Sequence, residues 1–181
     1  IVFRCLFADI IIISIMKNER KLSMEYNDLA LAAFLREYAN EVASDLMRSN
    51  FETLARIVKL ILVTKNNCRR IYTIGNGGSA ATASHMCNDL MKGARVCGRE
   101  GFRAICLCDS SPIITCLAND FDYEEIFAIQ LRTYAESGDL LIAFSGSGNS
   151  PNIVKGLQVA KEMGLTTVGF GGRDGGNMKK H

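Results

Sequence analysis

Two short loops rich in glycine and serine hold most of the chemistry this chain can offer. The first, Gly75-Asn76-Gly77-Gly78-Ser79, follows the apolar run Arg70–Ile74. The second, Ser145-Gly146-Ser147-Gly148-Asn149-Ser150, follows Asp139–Phe144 and leads into Pro151, a residue suited to the first turn of a helix. Glycines let successive backbone N–H groups converge, a following helix N-terminus adds partial positive charge, and serine hydroxyls supply further donors. Such a loop cradles an anion. Two of them in one chain point to a phosphorylated small molecule.

Other residues could act beside those cradles. His85 and Asp89 stand four apart on the helix that the first loop starts, so they share a face. The pair could ligate a metal or move protons beside a phosphate, or it could be a surface contact; the spacing allows both. Asp109, at the end of an apolar run, either orients sugar hydroxyls or caps the helix after Pro112. Asn119–Glu125 reads as a capped surface loop, and Gly171–Gly176 as a flexible, structural connection. Gly75-x-Gly77-x-x-Ala80 also satisfies the relaxed dinucleotide fingerprint. Asp109 lies further on than the usual interval of about 20 residues, however, and the serine loop would have no task, so no nucleotide cofactor is expected.

The elements that must position these residues can be read from periodicity. Leu29, Ala33, Phe34, Tyr38, Val42 and Leu46 recur at helical spacing between Glu25 and Ser49. A second helix over 51–65 carries Leu54, Ile57, Val58, Ile61 and Leu62, and the two are expected to form a helical hairpin. Strands at about 70–74, 103–108, 139–144 and 165–170 then alternate with helices at about 79–92, 112–118, 123–136 and 151–163. That alternation predicts an α/β fold with a parallel sheet and helices on both faces. Ligands in such sheets gather at the carboxyl ends of the strands, where both loops and the Cys108-Asp109 turn fall.

Composition narrows the function classes. The chain has 181 residues, 48% of them apolar and 22% charged, enough for one well-packed domain. A net charge of +2 without a dense basic run speaks against nucleic acid. Seven cysteines include no Cys-x-x-Cys pair, and Cys106 and Cys108 alternate with Ile105 and Leu107, as buried thiols of a cytoplasmic protein do. The apolar stretch Ile1–Met16 is interrupted by Arg4 and Asp9, so residues 1–24 are read as a non-native or leader-like extension and no membrane partner is expected. Residues 25–181 form the domain proper, which is expected to be incomplete at its C-terminal side.

Four motifs, in unbroken order, resemble the sugar isomerase (SIS) domain family and especially its phosphoheptose isomerases. They are Gly75-Asn-Gly-Gly-Ser-Ala-Ala with His85, Asn119-Asp-Phe-Asp-Tyr-Glu-Glu-Ile-Phe, Ser145-Gly-Ser-Gly-Asn-Ser-Pro-Asn, and Arg173-Asp-Gly-Gly. The resemblance implies a flavodoxin-like, three-layer parallel sheet, a homotetramer, and ketose–aldose isomerisation of sedoheptulose 7-phosphate, often with zinc. It assigns Asn76, Gly77, Gly78 and Ser79 to the substrate site, Cys108 and Asp109 to the sugar, and Ser145, Gly146, Ser147 and Ser150 to the phosphate. His85 becomes a metal ligand, and Asp89 holds the position of a glutamate that in those isomerases ligates the metal and handles a proton.

The chain also departs from the pattern. Aspartate at 89 is one methylene shorter than glutamate, Gly93 stands where an arginine is usual, and Gly146 where threonine is common. The remaining metal-site glutamine and histidine of those isomerases belong to a helix further on than His181. A non-catalytic sugar-phosphate-binding module, such as a regulator or a replication-initiator-binding protein, is the alternative reading.

Overall fold

The computed structural model describes residues 28–96, 98–172 and 174–181, so the expected extension over residues 1–24 lies outside the described residues. The chain divides into two compact units, Ile1–Phe51 and Glu52–His181. In the first, helix α1 spans Asp28–Met47 with Asp28 in its first turn, and none of its residues is fully buried. No described helix is long and apolar enough to cross a membrane.

The second unit is a four-stranded, all-parallel sheet between two helical layers. Its elements run α2 (Phe51–Asn66), β1 (Arg70–Gly75), α3 (Gly78–Asn88), β2 (Arg103–Cys106), α4 (Ser111–Asp120), α5 (Ile126–Tyr134), β3 (Leu140–Ser145), α6 (Pro151–Glu162) and β4 (Thr166–Gly171). The strand order is β2-β1-β3-β4. Register places Ile71 beside Ala104 on one side and beside Leu140 on the other.

Side-chain alternation along the strands builds the two faces. Tyr72, Ile74, Leu141 and Ala143 point to a core completed by Phe127 and Leu131 of α5 and by Ile153 and Leu157 of α6. Ile71, Leu140, Ile142 and Val168 point the other way, against Ile57 and Ile61 of α2 and Met86 of α3. The apolar stripe of α2 is narrower than its sequence suggests: Val58 and Leu62, one step round the helix from Ile57 and Ile61, stay half-exposed. β2 stops at Cys106 instead of Cys108: Leu107 N–H donates to the Thr73 carbonyl at 3.0 Å as the last backbone bond to β1, and the chain turns at Leu107–Cys108.

Polar groups inside this core are paired. The Tyr72 hydroxyl donates to the Tyr134 carbonyl at 2.6 Å, and burial pushes its pKa up to about 12. Asp139, only 1% exposed, accepts the backbone N–H groups of Arg70 and Glu136 at 2.8 and 2.9 Å. These bonds tie the amino ends of β1 and β3 together.

Leu141 is fully buried at the centre of the larger core. Leu141→Ala should therefore lower unfolding free energy by about 2–5 kcal/mol in urea titrations. Lys161→Ala, at an exposed position of α6, should stay within about 0.5 kcal/mol of the parent.

Candidate active site

Strand order decides where the two anion loops go. After β1 the chain builds β2 on one side and then crosses to build β3 on the other, so β1 and β3 are neighbours whose connections leave in opposite directions. A crevice opens at the carboxyl ends of strands arranged this way. Gly75 pairs with Phe144 at that end, and the loops 76–79 and 145–150 leave side by side.

The first loop is tight because α3 begins almost at once. A Cβ at Gly75 would lie 2.4 Å from the Ser79 carbonyl oxygen, so only glycine fits between strand end and helix. Ser79 N–H donates to the Asn76 carbonyl at 2.9 Å and closes the turn.

In the second loop the serines first organise their own backbone. Ser145, 5% exposed, accepts the Gly148 N–H at its hydroxyl oxygen, and Ser147 accepts the Asn149 N–H, at 3.2 and 3.1 Å. A hydroxyl that accepts a backbone N–H still has its proton to donate. Ser150 precedes α6 and spends no side-chain hydrogen bond on capping it. The half-buried Ser147 and Ser150 are therefore the serines best placed to donate to an anion.

Two asparagines bolt the loops together. Asn76 Nδ2 donates to Asn152 Oδ1 at 2.9 Å, and Asn152 Nδ2 donates back to Asn76 Oδ1 at 2.8 Å. Asn152, in the first turn of α6, is 1% exposed, and its Oδ1 also accepts the Ile153 N–H at 3.0 Å. The Tyr123 hydroxyl donates to Asn76 Oδ1 at 3.1 Å from the 3₁₀ turn Tyr123–Glu125. Neither Asn152 nor Tyr123 was among the expected site residues, although both lie inside the recognised motifs. No spacing rule reveals an amide pair between residues this far apart in sequence.

The flanking strands complete the rim. Cys108 Sγ donates to the Gly75 carbonyl at 3.3 Å, and the neighbouring Cys106 thiol together with burial holds the Cys108 thiol well above its ordinary pKa. It acts as a protonated tie between the turn after β2 and the end of β1, with the exposed Asp109 beside it. On the other side, the segment after β4 packs on the serine loop: Asn177 N–H donates to Asn149 Oδ1 at 2.9 Å and Met178 N–H to the Gly148 carbonyl at 3.0 Å. Gly148 has φ +67°, and a Cβ there would meet the Gly175 carbonyl oxygen at 2.1 Å. Gly172, Gly175 and Gly176 are thus fitted closely against the serine loop.

His85 and Asp89 pair with each other, Nε2 to Oδ2 at 3.5 Å, with side chains 46% and 42% exposed. His85 lies about 10 Å, and Asp89 about 16 Å, along the helix axis from Gly78. Asp89 opens a π-helical turn, Asp89–Gly93, in which the Ala94 N–H reaches back to the Asp89 carbonyl at 2.8 Å. Imidazole nitrogen and carboxylate oxygen suit zinc, but a structural or catalytic zinc takes at least three protein ligands. Among the described residues no group of three or more His, Cys, Asp or Glu side chains is gathered as a metal site.

The doubly wound sheet brings two glycine- and serine-rich loops together at one end, and the sequence pattern of the SIS domain matches residues 34–172. The chain belongs to the SIS domain family. Its curated relatives include the phosphoheptose isomerase of Helicobacter pylori (strain P12), 39% identical over 153 residues, 84% of this chain and 78% of that enzyme. That of Aliarcobacter butzleri is 36% identical over 82% of this chain and 79% of its own length. Among solved structures, the phosphoheptose isomerase of Neisseria gonorrhoeae superposes with a TM-score of 0.71 at 28% identity, covering 84% of this chain and 79% of that one. The Francisella tularensis phosphoheptose isomerase, at 22% identity and TM-score 0.78 over 85% and 80% of the two chains, speaks for the fold.

Two outcomes follow from this geometry. Gly148→Ala should lower unfolding free energy by about 1–3 kcal/mol, because both the backbone conformation and the Gly175 contact are lost. Burial raises the Cys87 pKa from 9.0 to about 11. Its raised folded-state value contributes stability that is complete below pH 9.0 and lost as pH climbs toward about 11. Denaturant midpoints across that range should fall more steeply in the parent than in Cys87→Ala.

Proposed function

We propose that this protein is a phosphosugar isomerase that interconverts sedoheptulose 7-phosphate and glycero-manno-heptose 7-phosphate. The observation that carries this reading is the 39% identity to an isomerase of that name across 78% of its length. The crevice supports it: two anion loops meet at the β1/β3 switch, with hydroxyl and amide donors around them.

In this reading Ser147 and Ser150 donate to the phosphate, with Ser145 and the Gly146 backbone shaping the loop. Asn76, Gly77, Gly78 and Ser79 line the adjoining wall, and Cys108 and Asp109 face the sugar. Moving a carbonyl from C2 to C1 takes a proton from one carbon and returns it to the other through an enediol. Asp89 is the carboxylate that carries that proton, and His85, one helical turn away, holds its orientation. Zinc, where bound, would take His85 and Asp89 as two of its ligands and supply charge stabilisation at the developing oxyanion. A homotetramer in the cytoplasm is part of the same reading, and the buried free thiols Cys87 and Cys106 accord with a reducing compartment.

The test is conversion of sedoheptulose 7-phosphate, with zinc supplied, followed by nuclear magnetic resonance. Asp89→Asn should lower kcat by about 10²–10⁴ with little change in KM, as loss of a proton-transfer group does. Ser147→Ala should instead raise KM by about 3- to 10-fold, the effect of one lost hydrogen bond. Unaltered turnover in Asp89→Asn would remove this carboxylate from the chemistry. Sugar-phosphate binding without any turnover in the parent would favour a non-catalytic binding module.

A further inference from the structure

The amide pair at the crevice has a consequence for what Asn76 can offer a ligand. A carboxamide has two acceptor positions on oxygen and two N–H donors. Asn76 Oδ1 takes two hydrogen bonds, from Asn152 Nδ2 at 2.8 Å and from the Tyr123 hydroxyl at 3.1 Å, which fills it. One N–H goes to Asn152 Oδ1 at 2.9 Å. Two amides that donate to each other close an eight-membered ring, and that ring uses the N–H lying cis to each carbonyl. What remains to Asn76 is a single N–H, trans to its carbonyl and pointing away from the pair.

Each partner is itself held. Asn152 is 1% exposed, and its oxygen is engaged by both Asn76 and the Ile153 N–H, so its amide has one orientation. Tyr123 stands in a 3₁₀ turn capped by Asp122, whose Oδ1 accepts the Glu124 N–H at 3.2 Å. Glu125 fastens that turn to α6 through an ion pair with Lys155, and to α5 through Arg132 at 3.4 Å. Hydrogen bonds received at the oxygen also polarise the amide and strengthen its remaining donor.

We infer that Asn152 and Tyr123 are positioning residues that fix Asn76 as a one-donor, no-acceptor group, so that this wall of the crevice selects a substrate acceptor oxygen. The naming of that oxygen's owner as a heptose phosphate rests on the isomerase reading; the donor-only character of Asn76 does not. Tyr123 is 52% exposed, which leaves it little to do for the fold beyond this bond.

A double-mutant cycle tests the inference on the full chain, read both as kcat/KM and as calorimetric affinity for sedoheptulose 7-phosphate. Tyr123→Phe removes only the hydroxyl and should lower both quantities by about 3- to 10-fold, while leaving the urea midpoint unchanged. In an Asn76→Ala background the same change should have an effect of less than about twofold, because Tyr123 acts through Asn76. Asn76→Asp, which replaces the free donor with an acceptor, should lose more than Asn76→Ala. An equal Tyr123→Phe effect in both backgrounds would overturn the inference, as would an Asn76→Asp protein that binds as well as the parent. Absence of turnover with intact binding would count against the isomerase reading alone, since the calorimetric cycle is still legible.

Discussion

Everything at the candidate site depends on the pairing of β1 with β3. Ile71 to Gly75 lie against Leu140 to Phe144 in parallel register, and both strands are buried over most of their length. Neighbouring strands sit about 4.8 Å apart. Two loops leaving such neighbours can share one ligand with backbone amides and short side chains. That explains why the crevice is built from serine, glycine and asparagine, and why lysine is not needed there.

The buried polar groups sharpen that register. A β-strand that slips by one residue turns its apolar set to the wrong face. Asp139 at the amino end of β3 and Asn152 beyond its carboxyl end are each 1% exposed, and each is satisfied only by partners attached to β1 or its loop, or by its own neighbours. A buried polar group left without a partner costs about 1–3 kcal/mol. Slippage would strand both groups at once. The bonds that align the site thus also penalise the alternatives to the fold.

Much of this architecture is legible in the sequence. Apolar alternation locates all four strands within two residues, and α6 stops just before Gly164, whose φ of +80° suits the left-handed end of a helix. The cradle loops can be read because glycine and serine at a strand-to-helix junction have a local reason to be there. Contacts between loops have no such local signature. Asn76 with Asn152, Cys108 with Gly75, and Gly148 with Gly175 are set by the order in which strands assemble, which no window of residues contains. The same holds for α2, where tertiary packing selects Ile57 and Ile61 from a wider stripe.

The remaining tension lies at His85 and Asp89, and geometry gives it a physical reading. On the isomerase reading the phosphate sits in the serine loop, and the reacting carbons are at the other end of a seven-carbon chain. A group that moves protons between C1 and C2 must then stand away from the cradle, and His85 and Asp89 stand about 10 and about 16 Å along the helix from Gly78 of the first loop. Aspartate reaches one methylene less far than glutamate, a displacement of about 1 Å that costs on the order of a hundredfold when nothing compensates. The helix does change at this residue: it widens into a π turn from Asp89 to Gly93, and a Cβ on Gly93 would lie 3.6 Å from Asp89 Oδ1. A widened turn shifts the backbone that carries the carboxylate, and glycine at 93 leaves the space beside it free of a side chain. On the isomerase reading, side-chain length and the backbone of the π turn together set where this carboxylate meets its substrate.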